Sequence, residues 1–548
     1  MVIWRSRDPH IPAPRETFNQ MLINAMESHI AANPNAIAMI RADVPTAPPM
    51  TYKGLLKLSK QIAFFLNSRG FGHGSIGSIM MSNCPEFVSF VLGSIICGGV
   101  YSPVNPFFLS GEIQRQLRNN GSVALFVEED ILETALKAVE NTSVKIIVCL
   151  RNTTNTLPSG VVDFEEIRNL PDNISHIKPE ISLDDMCTLP YSSGTTGFPK
   201  GVIMTHRNVS TMIAITALYF KKWNDLIGED SRHILLQQPI CHGVGFLVCF
   251  NAIINGASMV YLSRVDPIVF LTCIHKFKFR QIYVVPPLLV LMVKNSLVAK
   301  FDLSSIKVAF CGGAPLGKQL AQAFMRRFPH CRIYQCYGMT ETGTSSHVPD
   351  LFDSSYSQKN YESCGNVCST FEVKIVDPET YRELGPGETG EIVVRGPTVM
   401  QGYYNNPEST KHTIRNGWLY TGDIGRADKE GRFYIVDRLK ELIKVRSIQV
   451  PPAMLEDLLL EHPKIADAGV VGMPDFESGE LPFAFVVRRS PDLTAEEVKA
   501  HVAEHVAGFE CLHGGVEFVD QIPRSPSGKI LRRYLKEKLK EICNRKRA

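Results

Sequence analysis

The chain has 548 residues, 44% hydrophobic and 21% charged, and its 58 basic and 55 acidic residues leave a formal net charge of +3. Such a length exceeds what one core supports and implies several domains, and so balanced a charge gives no footing for a nucleic-acid partner. The 14 cysteines are scattered through apolar runs without paired zinc spacing, which points to buried thiols in a reducing compartment.

The first ten residues contain no continuous apolar core, so no secretory signal is expected; the chain ends Asn-Arg-Lys-Arg-Ala, not Ser-Lys-Leu, and a cytoplasmic location follows. A helical pattern at Ile62 to Asn67 is followed by β-branched or aliphatic runs at Ile76 to Met80, Ala124 to Val127 and Val144 to Leu150. Strands separated by helices predict right-handed crossovers and a parallel sheet covered on both faces, an α/β layered fold. The most apolar window, Phe87 to Tyr101, is interrupted by Gly93, Gly98 and Gly99 and falls short of the roughly 20 residues that span a bilayer. It reads as a buried helix feeding a strand, so no transmembrane segment is expected. Asn152 to Asp184 reads as a surface connection delivering the chain into a strand at Met186 to Tyr191.

That strand opens onto the stretch Tyr191-Ser-Ser-Gly-Thr-Thr-Gly-Phe-Pro-Lys-Gly201. Glycines at 194, 197 and 201 let backbone N–H groups turn inward, the hydroxyls of Ser192, Ser193, Thr195 and Thr196 add donors, and Lys200 supplies a charge, which together suit a polyphosphate. It is not the Gly-Lys-Ser/Thr nucleotide loop, since Pro199 precedes the lysine and Gly201 follows it. A flexible linker is the plain alternative, opposed by the apolar residues Val202 to Met204 that come next.

A second α/β unit has strands at Ile234 to Leu236, Ala257 to Leu262, Gln281 to Val285 and Lys307 to Phe310. Three of its loops carry unusual residues: Pro239-Ile-Cys-His-Gly-Val-Gly-Phe246, Cys311-Gly-Gly-Ala-Pro315 and Gln335-Cys-Tyr-Gly-Met-Thr-Glu341. Open parallel sheets bind ligands beyond the carboxyl ends of their strands, so these loops predict one cleft with the phosphate loop. There Gly312, Gly313 and Ala314 would bed a flat ring, Tyr337 would stack on its other face, and Glu341 would hold Mg2+ on the phosphates. Taken singly, Tyr337 suits a core aromatic equally well, and His242 suits a satisfied core histidine better.

From about residue 365 to 436, short alternating runs joined by Gly/Pro turns predict a small antiparallel barrel or sheet. Asp423 follows in Trp418-Leu-Tyr-Thr-Gly-Asp, where a carboxylate would accept ribose hydroxyls or simply make a turn. The charged segment Asp437 to Arg446 reads as a hinge into a smaller α+β domain. Within it, Leu455 to Leu460 is helical, Ala468 to Val471 and Phe483 to Val487 are strands, and Thr494-Ala-Glu-Glu497 is a capping box placing Val498 and Val502 on one helix face. Lys529 stands on a Gly-held loop before a Lys/Arg-rich helix, a basic tail that reads as a solvated face.

Five motifs in order now resemble the adenylate-forming superfamily of acyl-CoA synthetases, adenylation domains and luciferases, and most closely its branch of 4-coumarate:CoA ligases and luciferase-like enzymes. They are the 191–201 stretch, Tyr-Gly-Met-Thr-Glu at 337–341, Tyr-Thr-Gly-Asp at 420–423, Asp-Arg-Leu-Lys-Glu-Leu-Ile-Lys at 437–444 and Pro-Ser-Gly-Lys-Ile-Leu at 526–531. The resemblance covers about residues 3 to 533 and implies a large N-terminal AMP-binding domain over 1–436, made of two α/β subdomains and the barrel, and a small mobile domain over 437–548. It implies ATP, Mg2+ and coenzyme A as cofactors and co-substrates, a small-molecule carboxylic acid as the acyl donor, and a monomer or homodimer. Acyl-AMP would form first and the acyl-CoA thioester second, the acid being an aromatic propenoate or a medium-chain fatty acid.

Carried over by motif, Ser192 to Lys200 would cradle the β- and γ-phosphates, Thr340 would contact the α-phosphate, and Gly313, Ala314 and Tyr337 would hold adenine, with Gln335 and Gly338 on the same loop. Asp423 and Arg438 would hold ribose, Lys529 would bridge carboxylate and α-phosphate, and His242 would border the acyl pocket with Gly243, Gly245, Tyr283 to Pro287 and Thr342 to Ser345. The hinge would lie near Lys440, and Lys444 to Gln449 would serve thioester formation. Two departures stand out: Arg446-Ser-Ile-Gln449 replaces the usual Lys-Gly-Phe-Gln, and Met454 stands where a glutamate is common. They leave open an adenylating enzyme that hands its acyl group to a carrier thiol or to oxygen, and an inactive acyl- or nucleotide-binding protein.

Overall fold

The computed structural model describes residues 2–192, 199–228, 233–314, 316–351, 361–439, 441–445, 448–475, 478–506, 508–524 and 528–547. Its largest sheet is built outward from Ile76–Met80, all five residues of which are buried. Across it the order is Tyr191–Ser192, Lys200–Thr205, Met186–Thr188, Val100–Pro103, Ile76–Met80, Ala124–Glu128, Ile146–Leu150 and Val161–Asp163, with Gly402–Tyr403 also paired to Lys200–Thr205. The strands from Met186–Thr188 to Val161–Asp163 run parallel. The apolar window becomes the helix Pro85–Ile96, buried on every side and started by proline in its first turn, followed by Val100–Pro103. Among the described residues no helix is long and apolar enough to cross a membrane.

The expected surface connection holds more structure than its composition implied. Asp163 accepts the Glu165 backbone N–H at 3.0 Å, starting the helix Phe164–Arg168, which buries Phe164 and Ile167. A local cap and two apolar residues at helical spacing therefore outweigh the surrounding Asn, Thr and Pro.

The second α/β unit draws on the N-terminal part of the chain. His233–Leu236, Ser258–Tyr261 and Ile37–Arg41 pair in parallel, with Met50–Thr51 antiparallel at the edge. Gln281–Val284, Val308–Cys311 and Arg332–Gln335 form a separate parallel sheet. The antiparallel region is a six-stranded sheet over Glu372–Val376, Thr389–Arg395, Ile414–Arg415, Trp418–Ala427 and Phe433–Arg438, completed by Trp4–Arg5.

Beyond Arg438 a five-stranded sheet joins Ile448–Val450, Ile443–Val445, Gly479–Arg488 and Ile465–Asp475, with Gly515–Phe518 parallel to Gly479–Arg488. Helices Pro452–Glu461 and Ala495–Ala503 cover it, the second burying Val498 and Val502 as its pattern required. Thr494 accepts the Glu497 N–H at 3.2 Å. The Glu497 carboxylate lies 3.0 Å from the Lys464 ammonium. All fourteen cysteines are free thiols.

Candidate active site

The phosphate stretch begins as a hairpin in which Ser192 pairs with Lys200. Between them Ser193, Gly194, Thr195, Thr196 and Gly197 lie outside the described residues. The pairing of Val202 with Tyr403 brings a second strand alongside, so the Lys200 ammonium stands 5.0 Å from the centre of the Tyr403 ring.

Glu341 is buried on the short 3-10 turn Thr340–Thr342. Ser192 Oγ donates to its Oε1 at 2.7 Å and Tyr403 OH to the same oxygen at 2.9 Å. Two hydroxyls on one oxygen fix the carboxylate's orientation beside the phosphate hairpin. A lone carboxylate there suits Mg2+, which commonly takes one or two protein carboxylates and completes its shell with phosphate oxygens and water. Tyr403 carried no recognisable signal in the sequence, because only sheet pairing across about 200 residues makes it a neighbour of Lys200.

Asp423, equally buried, has one partner on each oxygen: Tyr337 OH donates to Oδ2 at 2.6 Å and Arg438 Nε to Oδ1 at 3.1 Å. Burial and the neighbouring carboxylate push the Tyr337 hydroxyl well up, so it remains a donor. An ionised carboxylate has about four lone-pair sites, so this one retains acceptor capacity for two hydroxyls. The Tyr337 ring lies 5.4 Å from that of buried His347.

Gln335, expected among the nucleotide contacts, braces the neighbouring loop. Its Oε1 accepts the Leu316 N–H at 2.9 Å and its Nε2 donates to the carbonyls of Tyr361 and Glu362 at 3.0 and 3.1 Å. It thereby pins the loop that contains Gly312, Gly313 and Ala314. Gly338 is likewise a packing requirement, since a Cβ there would run into the Thr344 backbone. Gly245 does not open space as expected, because Pro239 backbone fills the place of its absent side chain.

Lys529 reaches this group from the far end of the chain. Burial and the Arg438 guanidinium lower its pKa to about 8, while Asp423, Glu341 and Glu441 pull the other way. The loop that carries it turns through Gly528 at φ +80°, a left-handed conformation that favours glycine, close to Val285 and Pro287. His242 precedes the helix Gly243–Asn255, and its Nε2 is buried without a hydrogen-bond partner among the described residues. Burial first and Lys529 second lower its pKa to about 4, so it is neutral at pH 7.

His242, Thr340 and Thr344 form the polar edge of a mostly apolar cavity of about 50 Å³, walled by Tyr101, Met204, Met212, Ile240 and Phe246. Tyr101, Met204 and Met212 belong to the first α/β unit and were missed, since nothing in sequence separates a pocket wall from core. Tyr283 is not part of this wall; it stacks between Phe220 and Phe310, with ring centres 6.1 and 5.3 Å away. Lys444, expected to act in the second step, is exposed on Ile443–Val445 and is not gathered with these groups. Lys440 lies outside the described residues, as does the side chain of Gln449.

A family model described as AMP-binding enzyme matches residues 26–404, and one described as AMP-binding enzyme C-terminal domain matches 454–529. The 4-coumarate-CoA ligase 2 of Narcissus pseudonarcissus is 36% identical, covering 98% of this chain and 94% of that protein. The 4-coumarate-CoA ligase 1 of Arabidopsis thaliana is also 36% identical, covering 98% and 95%. The o-succinylbenzoate CoA synthetase of Bacillus subtilis, solved with its acyl-adenylate intermediate, superposes with a TM-score of 0.79 at 28% identity, over 94% of this chain and 98% of that one. An anthranilate CoA ligase shares the fold at a TM-score of 0.83 and 22% identity, over 96% and 98%.

Proposed function

The chain belongs to the AMP-binding enzyme family, and from that premise we infer how its residues perform an AMP-forming acid–thiol ligation. It is an ATP-dependent carboxylate:CoA ligase: a carboxylate attacks the α-phosphorus of ATP, pyrophosphate leaves, and the CoA thiol then displaces AMP from the acyl-adenylate. The observation that carries our assignment of roles is the convergence of Lys529, Glu341, Asp423 and Arg438 in one electrostatic group. Two anions must meet in the first step, and a buried ammonium between them offsets the repulsion where it is greatest. Asp423, oriented by Tyr337 and Arg438, receives the ribose hydroxyls, while Lys200 and the loop ahead of it hold the departing pyrophosphate. Glu341, oriented by Ser192 and Tyr403, would hold the Mg2+ that neutralises the phosphate oxygens when it is bound. Neutral His242 borders the acyl group without adding a competing charge beside Lys529.

We divide the chain at 436/437 into a nucleotide-binding body and a mobile unit, because one lysine of that unit, Lys529, stands among the cleft charges while Lys444 is exposed. Rotation about the segment near Lys440 would exchange them between half-reactions. Free cysteines support a reducing, cytoplasmic setting, and a monomer or homodimer suffices for the chemistry.

For the acid, the similarity to 4-coumarate-CoA ligases supports an aromatic propenoate. The cavity of about 50 Å³ speaks for a second reading, a medium-chain fatty acid. An apolar cavity that holds benzene measures about 150 Å³, so a ring would enter only if Met204 and Met212 shift rotamer, whereas the end of a methylene chain enters directly. Pyrophosphate release across a panel of cinnamic and C6–C12 acids, with AMP release measured with and without CoA, separates them. Lack of CoA stimulation with every acid would overturn the assignment of the thiol acceptor.

A further inference from the structure

Gly317 ends the adenine-side loop and caps the helix Lys318–Arg327 with φ −65° and ψ 147°, a backbone that any residue adopts. What calls for glycine here is close approach: the three atoms nearest a Cβ at this position are Oδ1, Cγ and Oδ2 of Asp457, and it would overlap them. Asp457 belongs to the helix Pro452–Glu461 of the unit that carries Lys529. Its carboxylate lies against Gly317 at the N-terminus of that helix, where the Lys318 backbone N–H and the positive end of the helix dipole favour its charged form. Burial first, then repulsion from Glu461 and Glu362, raise its pKa to about 6, and the helix terminus opposes both.

We propose that Asp457 is a positioning residue for Lys529, seated in a socket formed by Gly317 and Lys318 that joins the C-terminal unit to the nucleotide loop. On its other side this loop is held by Gln335 through the Leu316 N–H at 2.9 Å. The socket therefore stands or falls with the backbone that borders adenine, and docking of the lysine-bearing unit is linked to the order of that backbone. The Arg533 to Glu112 ion pair at 2.6 Å between the two parts is more exposed and of small individual weight, while on the same helix as Asp457 the Leu460 carbonyl accepts from the Lys294 ammonium at 3.0 Å.

This inference rests on the adenylation reading above, and the half-reactions separate the two. The assays are ATP–pyrophosphate exchange with 4-coumarate or octanoate, whichever the wild type accepts, and thioester formation from the matching synthetic acyl-adenylate and CoA. Asp457→Ala is expected to lower exchange about tenfold, as loss of a helix cap does, and to leave thioester formation within about twofold. Asp457→Asn, which still accepts an N–H, retains most of the exchange rate. Gly317→Ala, on the opposite surface, lowers exchange comparably by filling the socket. The double variant Asp457→Ala with Gly317→Ala loses no more than the worse single one, because one contact is being removed twice. Unchanged exchange in Asp457→Ala, equal loss of both half-reactions, or fully additive losses would overturn the proposal. A wild type that exchanges pyrophosphate with neither acid overturns the adenylation reading itself.

Discussion

The phenolic hydroxyl of Tyr337 donates to Asp423 Oδ2 at 2.6 Å, so the aromatic ring of one motif and the carboxylate of another form a single rigid piece. Arg438 completes it on the second oxygen. Breaking a buried charge pair from one side strands the other charge, which costs far more than losing a neutral hydrogen bond. Tyr337→Phe is therefore expected to raise the KM for ATP only several-fold, and Asp423→Ala at least about thirtyfold. Exchange kinetics with ATP and its 2′,3′-dideoxy analogue check this: discrimination between the two should collapse in Asp423→Ala, and its persistence would remove Asp423 from the ribose.

On the proposed assignment, Lys529→Ala removes the charge that bridges the two reacting anions. Pyrophosphate release should fall by about 10²–10³, comparable to loss of one preorganised donor in other enzymes, while thioester formation from supplied acyl-adenylate is spared. Single-turnover measurements of each step decide it, and equal losses would sink the role.

The same lysine sets a pH limit. In the proposed role it acts as the ammonium, and its pKa is lowered to about 8, so adenylation should decline as pH rises through about 8 while the charged fraction falls. For stability the sign is opposite: the unfolded chain keeps this proton up to the ordinary 10.5, binds more protons between the two values, and the folded state gains with rising pH over that window. A pH profile of exchange should show the fall in the wild type and lose that inflection in Lys529→Ala.

Glu341→Gln keeps the shape that Ser192 and Tyr403 hold but removes the negative charge. A neutral amide is a poor ligand for a hard cation, so the Mg2+ concentration for half-maximal exchange should rise about tenfold or more. Titration with Mg2+ at fixed ATP tests this, and an unchanged midpoint would assign the metal to other groups.

Met212→Ala enlarges the cavity beside His242. Truncating a buried methionine destabilises a core by about 2–5 kcal/mol, with part of that offset where a ligand fills the space. Bulkier acids should gain in kcat/KM relative to shorter ones, and an unchanged ranking across the panel would show that this cavity is not where the acyl group lies.

Single motifs announced single groups. Ser192, Lys200, Glu341 and Asp423 each stood in a local pattern whose residue types imply phosphate, metal or ribose, whereas the role of Lys529 came only from the family resemblance. Glu341 and Asp423 lie near enough to Lys529 to act on its charge. What escaped notice has no local pattern. Tyr403 orients Glu341 from a two-residue strand, and Tyr101 wall a cavity alongside Met204 and Met212, all resembling ordinary core residues. Gln335 and Gly338 were legible as special, but their bracing and packing contacts were not, since a glutamine that braces a loop and one that touches a ligand look alike in one dimension.

The order of strands and helices, the buried character of Pro85–Ile96 and the hydroxyl- and glycine-rich phosphate stretch follow from the sequence alone, because side-chain periodicity and turn chemistry act over a few residues. The recruitment of Ile37–Arg41 and Trp4–Arg5 into distant sheets, the meeting of Asp457 with Gly317 and the arrival of Lys529 beside Arg438 were decided only in three dimensions. Sheet pairing and desolvation act between residues hundreds of positions apart, and it is desolvation that turns an ordinary lysine into one with a pKa near 8.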